Sequence, residues 1–293
     1  MQEDNRGGKL QGRQDAHMKE FLTLKDKVVL ITGASRGIGR EIALHCAKDG
    51  AIIILIGKTI TPHLTLPGTI LSVAKEVEAS GGKAFPLQLD VRDDARIQEV
   101  VAEIIKEFGE IDILVNNASA ISLTSTLETT LKRFDLMFAV NVRGTFACSR
   151  ACIPYLKKST NPHILNISPP LNMKPKWFSD HLAYTMSKYG MSECTLGMAE
   201  ELKTFGIAVN SLWPRTTIAT TAIEVNFPGA VYEASRKPSI MADAAYQILT
   251  SDSIKVTGNF FVDEDVLRSH GVTDFSKYAV NPKTSLYTDL FLD

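Results

Sequence analysis

The sequence predicts an α/β protein, a single doubly wound parallel sheet of about seven strands with helices on both faces. Three observations predict it. Short apolar runs alternate with helical stretches from residue 27 onward. The runs are almost continuously apolar, as strands covered on both faces must be. The first run leads into a glycine-rich turn that opens a helix, the arrangement that presents backbone N–H groups to an anion.

The elements follow in order. The first twenty residues are polar and contain glycine, and read as a disordered arm or an expression remnant. Lys27–Thr32 is the first strand by run length. The helix after it places Ile38, Ile42, Ala43 and Cys46 on one face and stops at Gly50, with Lys48 in its last turn. Ala51–Ile56 is the second strand, and the helix after it closes at Gly81-Gly82. "AFPLQLD" is the third strand, followed by a helix ending at Gly109. "DILVNNA" is the fourth strand, and the stretch from about Leu131 to Lys158 reads as one long helix. "HILNIS" is the fifth strand. Leu182–Phe205 is helical, with Lys203 and Gly206 as its stop. "IAVNSLW" is the sixth strand and "GNFFVD" the seventh. Strands alternating with helices in this way specify a parallel sheet covered on both sides.

Composition narrows the function. The formal net charge is -1 with no basic stripe, which argues against nucleic-acid binding. The longest apolar run, Ala51–Ile56, is far short of the roughly 20 residues that cross a bilayer. Cys46, Cys148, Cys152 and Cys194 form no C-x-x-C pair. Cys148 and Cys152 are one turn apart with no histidine near them in sequence, so the cysteines read as buried thiols of a reducing compartment, and no metal site is expected. The P-loop, nucleophile-elbow and H-E-x-x-H motifs are absent from the sequence.

"TGASRGIG" (Thr32–Gly39) lies between the first strand and its helix. Gly33, Gly37 and Gly39 allow a tight turn and close approach of backbone to a pyrophosphate, with Ala34, Ser35, Arg36 and Ile38 between them. A fold of this kind that binds NAD carries an acid at the end of the second strand, to hold the ribose 2′-hydroxyl. Here that place reads Gly57-Lys58-Thr59. Lys58 and Arg36 attract a 2′-phosphate, so the expected cofactor is NADP. His63, in the next loop, either reaches that phosphate or lies exposed.

Tyr184 and Lys188 stand four residues apart, on one face of their helix. Alone, the pair is equally an exposed pair on an amphipathic helix. In chain order, however, "TGASRGIG", "NNAS", "NVRGTF", a serine after the fifth strand and "YTMSK" resemble the short-chain dehydrogenases/reductases over residues 21–265. The resemblance implies a single-domain Rossmann-type fold and hydride transfer between a nicotinamide and a carbonyl/alcohol pair. It makes Tyr184 the acid/base and Lys188 the ammonium that favours its phenolate and holds the nicotinamide ribose. Ser168 orients the carbonyl, and Asn141 helps to hold a water. Asp90 and Val91 match adenine-contacting positions, and Asn117 and Ala118 the turn beside the adenosine ribose. Pro214 matches the start of the nicotinamide loop, where Arg215 replaces a glycine and Thr220 falls one residue late.

Further expectations follow from the resemblance. The substrate is apolar, fatty or sterol-like, with Trp177, Phe178 and Trp213 as pocket walls. Residues Thr216–Lys237 form a mobile lid. The chain forms a homodimer or homotetramer. Residues 266–293 are a tail packed on the core or a linker. The resemblance points to peroxisome or mitochondrion, with the cytoplasm as the default where no address is present. The alternative function is a catalytically quiet NADP-binding or redox-sensing protein.

Overall fold

The computed structural model describes residues 23–62 and 68–293. The expected N-terminal arm and His63 lie outside them.

β1 (Val28–Thr32) runs into the glycine turn and α1 (Gly37–Lys48). β2 (Ile52–Gly57) is followed by α2 (Ile70–Ala79), whose Thr69 and Ser72 form a reciprocal capping box. β3 (Lys83–Gln88) precedes α3 (Asp94–Phe108). The Asp93 side chain caps that helix, and Gly109 ends it with a left-handed φ of 81°. β4 (Ile113–Asn116) completes the first half. The second half contains α4 (Leu131–Met137), α5 (Thr145–Leu156), β5 (His163–Asn166), α6 (Lys176–Ser179), α7 (Leu182–Leu202) and β6 (Ala208–Trp213). α8 (Thr221–Asn226), α9 (Gly229–Glu233), α10 (Ser239–Leu249), β7 (Phe260–Val262) and α11 (Asp263–Ser269) follow.

All seven strands are parallel, in the order β3-β2-β1-β4-β5-β6-β7. The period-2 alternation of each strand divides the core. Val29, Ile31, Ile53 and Leu55 face α1, α2 and α10, while Val28, Leu30, Ile54 and Ile56 face α3, α5 and α7. α3 shows the matching helical period: its buried residues are Ile97, Val100, Val101 and Ile104. The chain reverses direction across the sheet between β1 and β4. Ligands of such sheets bind beyond the carboxyl ends of the strands at this reversal.

The stretch expected as one helix from Leu131 to Lys158 is interrupted. Phe138–Gly144 is π-helical, between α4 and α5. The wider turn carries Asn141 inward, where it bonds Ala120 and Ser187. It also lets Gly144 sit against Val91, where an added Cβ would lie 2.9 Å from a Val91 methyl. Such bulges recur at functional sites.

At the amino end of the sheet, Asp112 is fully buried. Its carboxylate accepts from Val28 N at 2.9 Å, Lys27 Nζ at 3.1 Å and Ser159 Oγ at 2.5 Å. It joins the edge of β1 to the end of α5. Replacing Asp112 by Ala leaves the Val28 N–H without that acceptor, and should cost about 1–3 kcal/mol. Urea unfolding would read the cost. Nucleotide affinity should stay unchanged, because the opposite end of the sheet is untouched.

Candidate active site

Two loops meet at the carboxyl ends of β1 and β4. The Thr32 hydroxyl accepts from both Asn117 N and Ala118 N at 3.0 Å, and Asn117 Nδ2 donates to Thr32 O and Gly33 O at 3.0 Å. The turn therefore packs against the fourth strand with no room for side chains. A Cβ on Gly33 would lie 2.9 Å from Ala118 Cα, and one on Gly39 would lie 2.5 Å from Asn117 Nδ2. Gly33 and Gly37 also have positive φ, 65° and 57°. α1 begins without a side-chain cap, so its first N–H groups have no side-chain acceptor.

Beside this turn lies a cavity of about 520 Å³. Gly33, Ser35, Arg36, Gly37, Ile38, Lys58, Asp90, Val91, Asn117 and Ala118 line it, and Thr220 and Asn226 close its far side. Ala34 and Gly39 sit beneath the turn, buried, and Pro214 is buried after β6. The cavity, the uncapped helix and the close glycine packing fit a dinucleotide pyrophosphate. Lys58 is exposed at the end of β2, while the Arg36 guanidinium donates to Gly68 O at 3.0 Å. Asp90 is engaged by Arg92 through Nε at 3.0 Å and Nη2 at 2.6 Å. That pairing holds its carboxyl below the usual range, with Lys58 acting weakly in the same direction.

The second group of residues lies deeper. Tyr184, Lys188 and Ser168 are 5%, 2% and 0% exposed, and none of them lines the cavity. Lys188 Nζ donates to Ile167 O at 2.7 Å, contacts Met191 Sδ at 3.3 Å and lies 5.1 Å from the centre of the Trp213 ring. Asn141 Nδ2 donates to Ala120 O and Ser187 Oγ at 2.9 Å, and Asn141 Oδ1 accepts from Ala120 N at 2.7 Å. Asn141 thus ties the loop after β4 to α7.

Ser168 ends a buried polar chain that sequence reasoning did not find. Asn116 Nδ2 donates to Ser149 Oγ and Asn166 Oδ1, and Asn166 Nδ2 donates to Thr195 Oγ1. Thr195 Oγ1 lies 2.7 Å from Ser211 Oγ, which lies 2.8 Å from Ser168 Oγ. All six residues are at most 2% exposed.

Two more residues carry no sequence motif. Asp289 is half-buried beside Lys188 and Tyr184, and Phe291 packs its ring 6.3 Å from that of Tyr184. Burial pushes the Asp289 carboxyl up to about 7. Burial pushes Lys188 down to about 7, with Asp289 pulling it the other way. Burial, with the Asp289 charge adding to it, raises the Tyr184 phenol above its ordinary value. Lys188 is turned to the Ile167 carbonyl.

Comparison with known proteins places this geometry. The short chain dehydrogenase family matches residues 27–228. "Hydroxysteroid dehydrogenase-like protein 2" of Danio rerio is 54% identical over 265 residues, 90% of this chain and 63% of that protein. The chain thus spans less than two thirds of the length of this relative. A crystal structure from Xanthomonas campestris superposes with a TM-score of 0.90 at 50% identity, covering 93% of this chain and 100% of that one. A metagenomic short-chain oxidoreductase in complex with NADP gives a TM-score of 0.68 at 26% identity, covering 82% of this chain and 97% of that one.

The Lys188–Asp289 contact is open to direct measurement. Asp289→Asn removes the anion that raises the lysine, so the titration midpoint of Lys188 should move below about 7. The lysine 13Cε resonance reports it. An unmoved midpoint would remove Asp289 from the electrostatics of the site.

Proposed function

The chain belongs to the short-chain dehydrogenase family, and on that premise we propose that it is an NADP-dependent oxidoreductase interconverting a carbonyl and an alcohol. One observation carries the reading: Tyr184 and Lys188 are buried on one helix, Lys188 Nζ bonds the carbonyl of the residue before buried Ser168, and the glycine turn of the same fold lines a cavity. The first turn of α1 would hold the pyrophosphate, Asp90, Val91, Asn117 and Ala118 the adenosine, and Lys58 with Arg36 the 2′-phosphate. The cofactor would supply or accept the hydride.

The chain's own residues handle the proton. In reduction, the Tyr184 hydroxyl gives its proton to the carbonyl oxygen, and in oxidation the phenolate takes the alcohol proton. Lys188 as ammonium stabilises the phenolate. Ser168 donates a hydrogen bond to the same oxygen and aligns it. This requires Ser168 to accept from Ser211, a direction compatible with the amide donors from Asn116 to Asn166 and from Asn166 to Thr195.

An apolar, fatty or sterol-like substrate is supported by the aromatic wall of Trp177, Phe178, Tyr189 and Trp213 around Tyr184. Self-association is supported by Phe146 on α5 and Leu196 on α7, which are 52% and 56% exposed. A second reading, a quiet NADP-binding protein, draws on the closure of Tyr184 beneath Phe291.

Two measurements decide. Tyr184→Phe should lower kcat for carbonyl reduction by about 100-fold or more, with cofactor affinity unchanged. If wild type and variant are equally inert on a carbonyl panel, the quiet reading stands. Lys58→Glu should weaken NADPH binding about tenfold and leave NADH nearly unaffected, in a thermal-shift titration. Equal stabilisation of the wild type by both nucleotides would remove the assigned role of Lys58.

A further inference from the structure

Tyr287–Asp293 forms a strap across the carboxyl end of the sheet. Its first half is held by backbone bonds. Tyr287 N donates to Ala234 O at 2.9 Å, Thr217 N to Tyr287 O at 3.0 Å and Asp289 N to Arg215 O at 3.2 Å. Trp213 Nε1 donates to Leu290 O at 2.9 Å. The far end is held more loosely. Asn172 Nδ2 reaches Phe291 O at 3.2 Å, and Lys174 and Lys176 pair with Asp293 at 2.8 Å. Both lysines are more than half exposed, and exposed pairs of this kind hold weakly.

Phe291 lies between the two anchors. Its φ is 72°, a left-handed conformation that a bulky side chain rarely adopts. Its ring is 1% exposed and is surrounded by five others. Ring centres lie at 5.3 Å for Tyr189, 5.8 Å for Trp213, 6.0 Å for Trp177 and His181, and 6.3 Å for Tyr184. Tyr184 is 5% exposed and does not line the nucleotide cavity, and Phe291 is one of the rings packed about it. A carbonyl oxygen must come within hydrogen-bond reach of the phenol to be protonated.

We propose that Phe291 stands in the place of the substrate's apolar portion, so that a carbonyl compound with an apolar, ring-sized body enters by displacing it and the strap selects what is admitted. The inference rests on the oxidoreductase reading above and names the substrate class of that site. The recognising chemistry is aromatic: the rings about Phe291 offer apolar faces, with Lys174 and Lys176 at the outer edge, where Lys176 Nζ lies 4.5 Å from the centre of the Trp177 ring. The strained backbone and the weak outer anchor both favour release of this half of the strap over the half tied to Arg215 and Ala234.

The probe is 2-decalone, a fused bicyclic ketone, added to the full chain saturated with NADPH. Phe291→Gly deletes the ring and keeps the left-handed backbone accessible. Calorimetry should give at least tenfold tighter binding of 2-decalone to the variant than to wild type. In wild type, saturating 2-decalone should speed amide exchange in Phe291–Asp293 at least tenfold, a readout that stands even where the variant does not fold. Equal affinity, no binding to either protein, or exchange that is slowed or unchanged would overturn the proposal. Binding and exchange changes without any NADPH oxidation would count against the oxidoreductase reading and leave the displacement standing. Turnover with unchanged exchange would do the reverse.

Discussion

Lys188 brings an amine to a place that water does not reach, and the surrounding residues are arranged about that cost. Its side chain is 2% exposed. An isolated ammonium there would be strongly disfavoured. Three features offset this. The Ile167 carbonyl accepts a hydrogen bond, the Trp213 ring lies beneath the charge, and the Asp289 carboxylate adds its field. Each comes from a different part of the fold, the end of β5, the end of β6 and the strap. The amine therefore fixes how these three segments approach one another.

α7 can carry such residues because it is covered on nearly all sides. Tyr184, Ser187, Lys188, Met191, Ser192 and Thr195 are all buried, although they lie on different faces. The helix touches the π-helical turn so closely that a Cβ on Gly190 would lie 2.6 Å from a Val142 methyl. That contact and the Asn141–Ser187 hydrogen bond set the height of Tyr184 relative to the loop after β4. The interruption in the expected long helix is thus part of how the site is positioned, since a continuous α-helix would turn Asn141 away from Ala120.

What could be read from the sequence divides along range of interaction. The strands of β1, β2 and β6, the glycine turn and the Tyr184–Lys188 spacing are local, and their residues declare them. Lys58 was legible as a lysine at the end of the second strand, and the structure places it exposed there, at the rim of the cavity. Asp289 and Phe291 were not. They act on residues more than a hundred positions away, and "TDLFLD" carries no periodicity or motif that points at a helix so distant. The loop of Arg215 was legible only as a departure. The structure gives it a function: Arg215 N donates to Asp263 Oδ1 at 2.8 Å, and Arg215 O accepts from Asp289 N. A residue that replaces the expected glycine is thus an anchor of the strap.

The polar chain beneath Ser168 links the proposed chemistry to the sheet itself. Asn116 and Asn166 are paired in register across β4 and β5, so their side-chain amides meet because the strands do. Ser211 lies opposite Asn166 on β6, and Thr195 reaches it from α7. With apolar residues at these positions the buried Ser168 hydroxyl would lose its side-chain partner. Ser211, placed by the three strands and α7, gives it one at 2.8 Å. Asn116 Oδ1 has no hydrogen-bond partner in this network, so the geometry is held by the bonds that strand pairing creates. Register between β4, β5 and β6 therefore couples the fold to the placement of the Ser168 hydroxyl.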